Sequence, residues 1–101
     1  MESRGYRFVC ANYHCRLGEI DLVMEKDHQL VFVEVRYRHH SGFGSALESV
    51  DRKKQRRLIK TAQHFISTNK SYADRDLRFD VIGFDATDTL QFDWIENAIW
   101  A

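Results

Sequence analysis

Gly18–Arg38 reads GEIDLVMEKDHQLVFVEVRYR, and its alternation decides the fold. Over residues 19–25, Ile20, Leu22 and Met24 take one face, and Glu19, Asp21, Val23 and Glu25 take the other. Over residues 30–36, Val31, Val33 and Val35 fall on one face, with Leu30, Phe32, Glu34 and Arg36 opposite. Period two with β-branched residues marks a strand. Lys26-Asp27-His28-Gln29 is polar turn material between them. The stretch is therefore expected to form an antiparallel hairpin, 19–25 paired with 30–37.

An even loop centred between Asp27 and His28 sets Glu19 opposite Arg36, Asp21 opposite Glu34 and Met24 opposite Val31. Both apolar triplets then share one face, so the register is self-consistent. Asp21 and Glu34 become cross-strand neighbours, roughly 5 Å apart at Cβ. Two carboxylates so placed repel each other unless a proton or a metal ion lies between them. Oxygen ligands of this kind suit Mg²⁺ or Mn²⁺. The alternative is the wet face of an amphipathic hairpin, with Glu19–Arg36 as a surface ion pair of modest value.

The chain has 101 residues, 44% of them hydrophobic and 30% charged, with seven Phe. That length suits one small domain, and that composition is not a disordered one. Formal net charge is zero, but its distribution is uneven. Residues 36–60 carry eight Lys or Arg against Glu48 and Asp51, whereas residues 71–101 carry seven acids and two bases. A basic segment of this kind is compatible with nucleic-acid binding. No apolar run approaches the ~20 residues that span a bilayer, and no signal peptide is visible, so a cytoplasmic protein is expected. Cys10 and Cys15 are the only thiols, and without a CxxC or a second ligand pair they read as reduced rather than as a zinc site.

Ahead of the hairpin, a strand is expected from about Tyr6 to Ala11, with residues 13–16 continuing it or looping. His39–Ser45 is a glycine-marked loop in which the two histidines read as solvated. A helix follows over about 49–69, with Ser45 or Ser49 as its N-cap and Asn69 its stop. Leu58, Ala62, Phe65 and Ile66 form its buried stripe, which runs back through Asp51, Lys54 and Gln55. Either the stripe leaves the core there, or Lys54 and Gln55 point over the hairpin's polar face toward Asp21 and Glu34. Arg52, Lys53, Arg56, Arg57 and Lys60 form the other face, solvated or in contact with phosphates. Residues 77–85 and 90–95 read as two more strands. Asp80 within the first needs a partner, as a salt-bridge acid or as a supporting carboxylate near the site. The tail with Trp94 and Trp100 is expected to pack on the core.

An acid on one strand followed by acid-x-basic on the next is the layout of the PD-(D/E)XK nuclease superfamily, here Asp21 and Glu34-Val35-Arg36. The whole chain resembles the YraN-type family of small bacterial proteins. The matching pieces are Gly5-Tyr6, Arg16-Leu17-Gly18-Glu19-Ile20-Asp21, Val31-Phe32-Val33-Glu34-Val35, Phe43-Gly44, Val50-Asp51 through Lys54-Gln55-Arg56-Arg57, Arg78-Phe79-Asp80-Val81 and Asn97-Ala98. The resemblance implies an α+β fold of the α/β/α restriction-endonuclease-like type, one domain over residues 1–101 with a central mixed sheet. The family's N-terminal helix, which carries a glutamate, has no counterpart ahead of Gly5-Tyr6.

By the same resemblance, Asp21, Glu34 and the Val35 carbonyl would hold Mg²⁺ or Mn²⁺, with Asp21, Glu34, Arg36 and Lys54 as the catalytic set. Gln55 would orient DNA, branched DNA such as a Holliday junction among the candidates, and Arg52, Lys53, Arg56 and Arg57 would track its backbone. The family usually has lysine where this chain has Arg36, and arginine stays protonated and cannot act as a base; Lys54 is the residue that could substitute. The rival readings are a non-catalytic nucleic-acid-binding module of the same fold and a structural or protein-interaction domain.

Overall fold

The computed structural model describes residues 5–38, 50–85, 88 and 91–99. Among these residues it is an α+β arrangement: a five-stranded mixed sheet with one long helix on one face. The strands are β1 (Arg7–Cys15), β2 (Gly18–Lys26), β3 (Gln29–Arg38), β4 (Asp76–Asp85) and β5 (Phe92–Ile95), and they lie in the sheet in chain order. All neighbours are antiparallel except β3 and β4, which run parallel. That parallel step needs a crossover, and α1 (Arg52–Thr68) supplies it. A 3₁₀ turn, Lys70–Tyr72, leads from α1 back to the sheet. The His39–Ser45 loop, the two serines expected to cap the helix, and Trp100 lie outside the described residues.

The β2–β3 register is the expected one, with Met24 opposite Val31 and Leu22 opposite Val33. The turn is tighter than expected. Lys26 and Gln29 already pair, which leaves Asp27 and His28 as the loop, and Asp27 takes the left-handed φ of 54° that aspartate tolerates. Strand β1 runs past Ala11 to Cys15, with an irregularity between Phe8 and Cys10.

Ile20 does not lie on the face expected for it. Leu22 and Met24 pack with Val31 and Val33 on the face away from α1, but Ile20 packs with Val23, Phe32 and the helix. The alternation fails at Asp21. Ladder partners on β1 step from Ala11 to Tyr13 over Asn12, whose φ is 55°, and the β2–β3 ladder runs no further toward the strand start than Leu22. A local distortion of this kind shifts side chains from one face to the other.

The helix begins at Arg52, beyond both expected serines. Asp51 is the N-cap: its backbone is extended, with ψ 175°, and its carboxylate accepts the Lys54 N–H at 2.9 Å. Asn69 ends the helix as expected, its N–H donating to the Ile66 carbonyl and its side-chain amide to that of Phe65. Leu58, Thr61, Ala62 and Phe65 are buried against the sheet, with Ile66 at the margin. Phe32 is the centre of that layer, stacked on Phe79 and edge-on to Phe65. Ile99 also packs there, and the Ala98 N–H donates to the Phe79 carbonyl.

On the far face, Asp80 is a salt-bridge acid. Both its oxygens accept from Arg78, which also donates to the Tyr6 hydroxyl and to Gln29. The Trp94 indole N–H and the Asn97 backbone N–H complete the shell of Asp80, which is 1% exposed. Tyr37, Phe84 and Phe92 stack across the end of this face, with Tyr37 and Phe92 exposed. At the start of β4, Arg75 and Arg7 converge on the buried Glu25.

Asp80→Ala should cost about 3–5 kcal/mol in urea unfolding, because it strands the Arg78 guanidinium away from water. An apolar replacement of both residues should recover much of that loss; equal losses in the single and double variants would contradict the account. Glu25 gives a pH-dependent counterpart. Its pKa is held low, first by Arg75 and then by Arg7. A carboxyl whose folded pKa lies below its unfolded one stabilises above the unfolded value, and loses that contribution as pH falls through the depressed one. Wild type should therefore exceed Glu25→Gln in stability at pH 7, and the gap should close on acidification below the ordinary carboxylate range. A gap independent of pH would refute the assignment.

Candidate functional site

The distortion in β2 brings Asp21 to the end of its ladder. Its Oδ2 accepts the Val35 backbone N–H at 2.8 Å. In an unbroken hairpin that N–H would face Ile20, so a side chain here replaces a rung. Glu34, next to Val35, is 6% exposed and lines the same cleft as Asp21. The expected juxtaposition of the two acids is present.

Three influences set the proton affinity of Glu34. Burial pushes its pKa above the usual carboxylate range, and the neighbouring Asp21 carboxyl pushes it the same way. Lys54 opposes both, with Nζ 3.2 Å from Oε2. Arg36 Nη2 stands 3.2 Å from the same oxygen. A buried, crowded carboxylate calls for positive charge, and two side chains here supply it.

These groups line a cleft of about 390 Å³ between the hairpin and the N-terminal half of α1: Gly18, Glu19, Asp21, Glu34, Val35, Arg36, Lys54, Arg57 and Leu58. Asp21, Glu34, Val35, Arg36 and Lys54, all singled out from the sequence, meet in it. Arg57 joins them, although the sequence reading assigned it to the outer helix face. Arg52, Lys53 and Arg56 are exposed and outside the lining. Gln55 is also outside; its side-chain amide donates to the Val50 carbonyl at 3.0 Å and closes the entry to the helix.

The reading missed Gly18, Glu19 and Leu58 as lining residues. Gly18 had a signal, as a glycine at the very start of a strand. Its φ is 155°, and a Cβ there would come 2.8 Å from Thr61 Oγ1. The hydroxyl is itself held, donating to the Arg57 carbonyl at 2.7 Å. A side chain at 18 would thus prise the β1–β2 turn away from the helix that carries Lys54 and Arg57.

The donor set is hard and oxygen-only. Among the described residues, no group of three or more His, Cys, Asp or Glu gathers in one place. Two carboxylates with water and substrate oxygens are nonetheless the usual way Mg²⁺ is bound, since it dehydrates reluctantly and seldom occupies an all-protein cage. The pair fits such an ion.

Comparison with known proteins agrees with the sequence resemblance. The family profile described as "Uncharacterised protein family UPF0102", the YraN-type family, matches residues 1–84. Relatives named UPF0102 protein include one from Alcanivorax borkumensis, 45% identical over all of this chain and 82% of its own length. Another, from Saccharophagus degradans, is 48% identical over 95% of this chain and 79% of its own length. A third, from Nitrosococcus oceani, is 49% identical over 82% of this chain and 67% of its own. Among the described residues no helix is long and apolar enough to cross a membrane.

Gly18→Ala should lower the melting temperature by several degrees, from steric overlap with Thr61 and an unfavourable φ together costing about 1–3 kcal/mol. Gly18→Ala combined with Thr61→Ala should regain part of the loss. An unchanged melting temperature in the single variant would show that the turn does not press on the helix.

Proposed function

The chain belongs to the UPF0102 family, and on that premise we propose that it is a metal-dependent nuclease-like protein acting on DNA phosphodiesters through the Asp21–Glu34 cleft. The observation that carries the reading is the gathering of those two carboxyl groups in one cleft beside Lys54 and Arg36. Such a concentration of acids and bases in one small cleft is more than a solvated strand face requires. The restriction-endonuclease-like fold is part of the same proposal, supported by an acid on β2, acid-x-basic on β3 and one helix packed over both.

In this reading Asp21 and Glu34, with the Val35 carbonyl, hold Mg²⁺ or Mn²⁺. When bound, the ion would supply a water acidified toward hydroxide and neutralise charge on the phosphate. The protein's own residues have separate tasks. The Val35 N–H fixes the Asp21 carboxylate, leaving its other oxygen for a ligand. Lys54 sits on the Glu34 carboxylate and is the group able to position water or a phosphate oxygen. Arg36 provides fixed positive charge, not a base. Arg52, Lys53 and Arg56 follow the DNA backbone, which gives affinity without sequence preference. Branched DNA belongs among the substrates to be assayed.

A specific observation favours a second reading. Both cations nearest the acids are engaged with Glu34, and Arg36 stands where the superfamily layout has a lysine. A non-catalytic nucleic-acid-binding module would have that arrangement.

Calorimetric titration of Mn²⁺, with and without DNA, separates the two. The nuclease reading expects Mn²⁺ binding that Asp21→Asn and Glu34→Gln each weaken by roughly tenfold or more, with Mn²⁺-dependent cleavage of linear or branched DNA abolished in parallel. Salt-sensitive DNA binding without cleavage selects the module. Absence of metal binding, with DNA present as well as without it, sinks the metal-dependent proposal.

A further inference from the structure

Three cations line the cleft, and two are committed: Arg36 and Lys54 each stand 3.2 Å from one Glu34 oxygen. The third, Arg57, is three residues beyond Lys54 and so close to it on the helix surface. Its guanidinium has no carboxylate or carbonyl partner among the described residues. Its stem is nevertheless located. The Cδ lies 3.8 Å from where a Gly18 Cβ would stand, and its backbone carbonyl accepts from the buried Thr61.

The helix side of the cleft, opposite the lining acids Glu19, Asp21 and Glu34, favours an anion at that guanidinium. Residues 52–57 hold five Lys or Arg and no acid, and the first turn of α1 contains no acidic residue. The positive end of the helix dipole adds to their field instead of opposing it. That placement works against helix stability by a few tenths of a kcal/mol per cation, so it is not what folding alone would select. A cleft of about 390 Å³ lies within the range of small-molecule sites.

We propose that Arg57 is the residue that receives the substrate phosphate inside the cleft. This is a different task from that of Arg52, Lys53 and Arg56, which meet the backbone outside it. The proposal rests on the phosphodiester reading for its substrate. The planar guanidinium fork fits two non-bridging oxygens of one phosphodiester, which an ammonium group does not. Arg57 is therefore a substrate-binding residue whose geometry, beyond its charge, matters.

The test uses the full chain and the dinucleotide pTpT, a probe small enough for the cleft, titrated by ¹⁵N NMR without divalent ions. The Arg57 side-chain Nε–H and the Gly18 amide should shift together in wild type. Arg57→Ala should weaken binding by roughly tenfold or more, as expected for loss of a charge-assisted pair. Arg57→Lys should fall between wild type and Arg57→Ala, whereas Arg52→Ala, outside the cleft lining, should change affinity by less than about twofold, the scale of an isolated surface charge contact. Thermal melts that match wild type keep the comparison at the binding site. Equal effects of Arg57→Ala and Arg52→Ala, or no pTpT binding by wild type, would overturn the proposal. Mn²⁺-dependent cleavage measured on the same proteins separates it from the nuclease reading. Arg57-dependent binding without cleavage upholds the phosphate receptor and removes the hydrolase. Cleavage in which Arg57→Ala matches wild type removes the receptor and leaves the hydrolase.

Discussion

The hydrogen bond from the Val35 N–H to the Asp21 carboxylate is the constraint on which the site depends. A side chain takes a main-chain group that an unbroken hairpin would use between its strands. The exchange opens the hairpin at one end, turns Ile20 toward the helix and pins the Asp21 carboxylate to the β3 backbone next to Glu34. The two strands are thereby committed to holding like charges together. That arrangement is affordable only because Lys54 arrives from the helix and Arg36 from the same strand. Fold and electrostatics are thus coupled at one point: the helix that buries Phe65 against Phe32 also delivers the compensating charge.

Much of this was legible in the sequence, and the reasons differ from residue to residue. Alternation on both sides of a short polar turn admits few registers, so the pairing of Met24 with Val31 could be read directly, and with it the meeting of Asp21 and Glu34 in one cleft. Lys54 could be read as well, since the apolar stripe of α1 projects backwards through it. Ile20 could not, because alternation assumes an unbroken ladder and nothing in the sequence announces the positive φ of Asn12. The capping residue was not legible because serine and aspartate cap equally well. Asp80 was legible as an acid in need of a partner. Its partner, Arg78, went unnamed, although two residues earlier on a strand it shares the same face.

Arg57 illustrates a different limit. On a helical projection it belongs with the outer cations, and helix periodicity cannot tell a side chain at the margin of a stripe from one beyond it. Its membership of the cleft follows from how closely the β1–β2 turn approaches the helix, and Gly18 and Thr61 set that approach. The distance between two elements is a tertiary quantity, absent from the periodicity of either one.

The Arg78–Asp80 pair has a consequence of another kind. Its hydrogen bonds gather Tyr6 from before the first strand, Trp94 from the last strand and Asn97 beyond it onto two adjacent side chains in the middle of the sheet. Chain ends normally fray independently of the body they flank. Here neither segment can lift off without exposing a charge or stranding a buried donor, so the beginning and the end of the sheet open as one cooperative unit. Slow amide exchange should then extend from the central strands to the backbone N–H of Asn97, far out along the chain but close to the centre of the network.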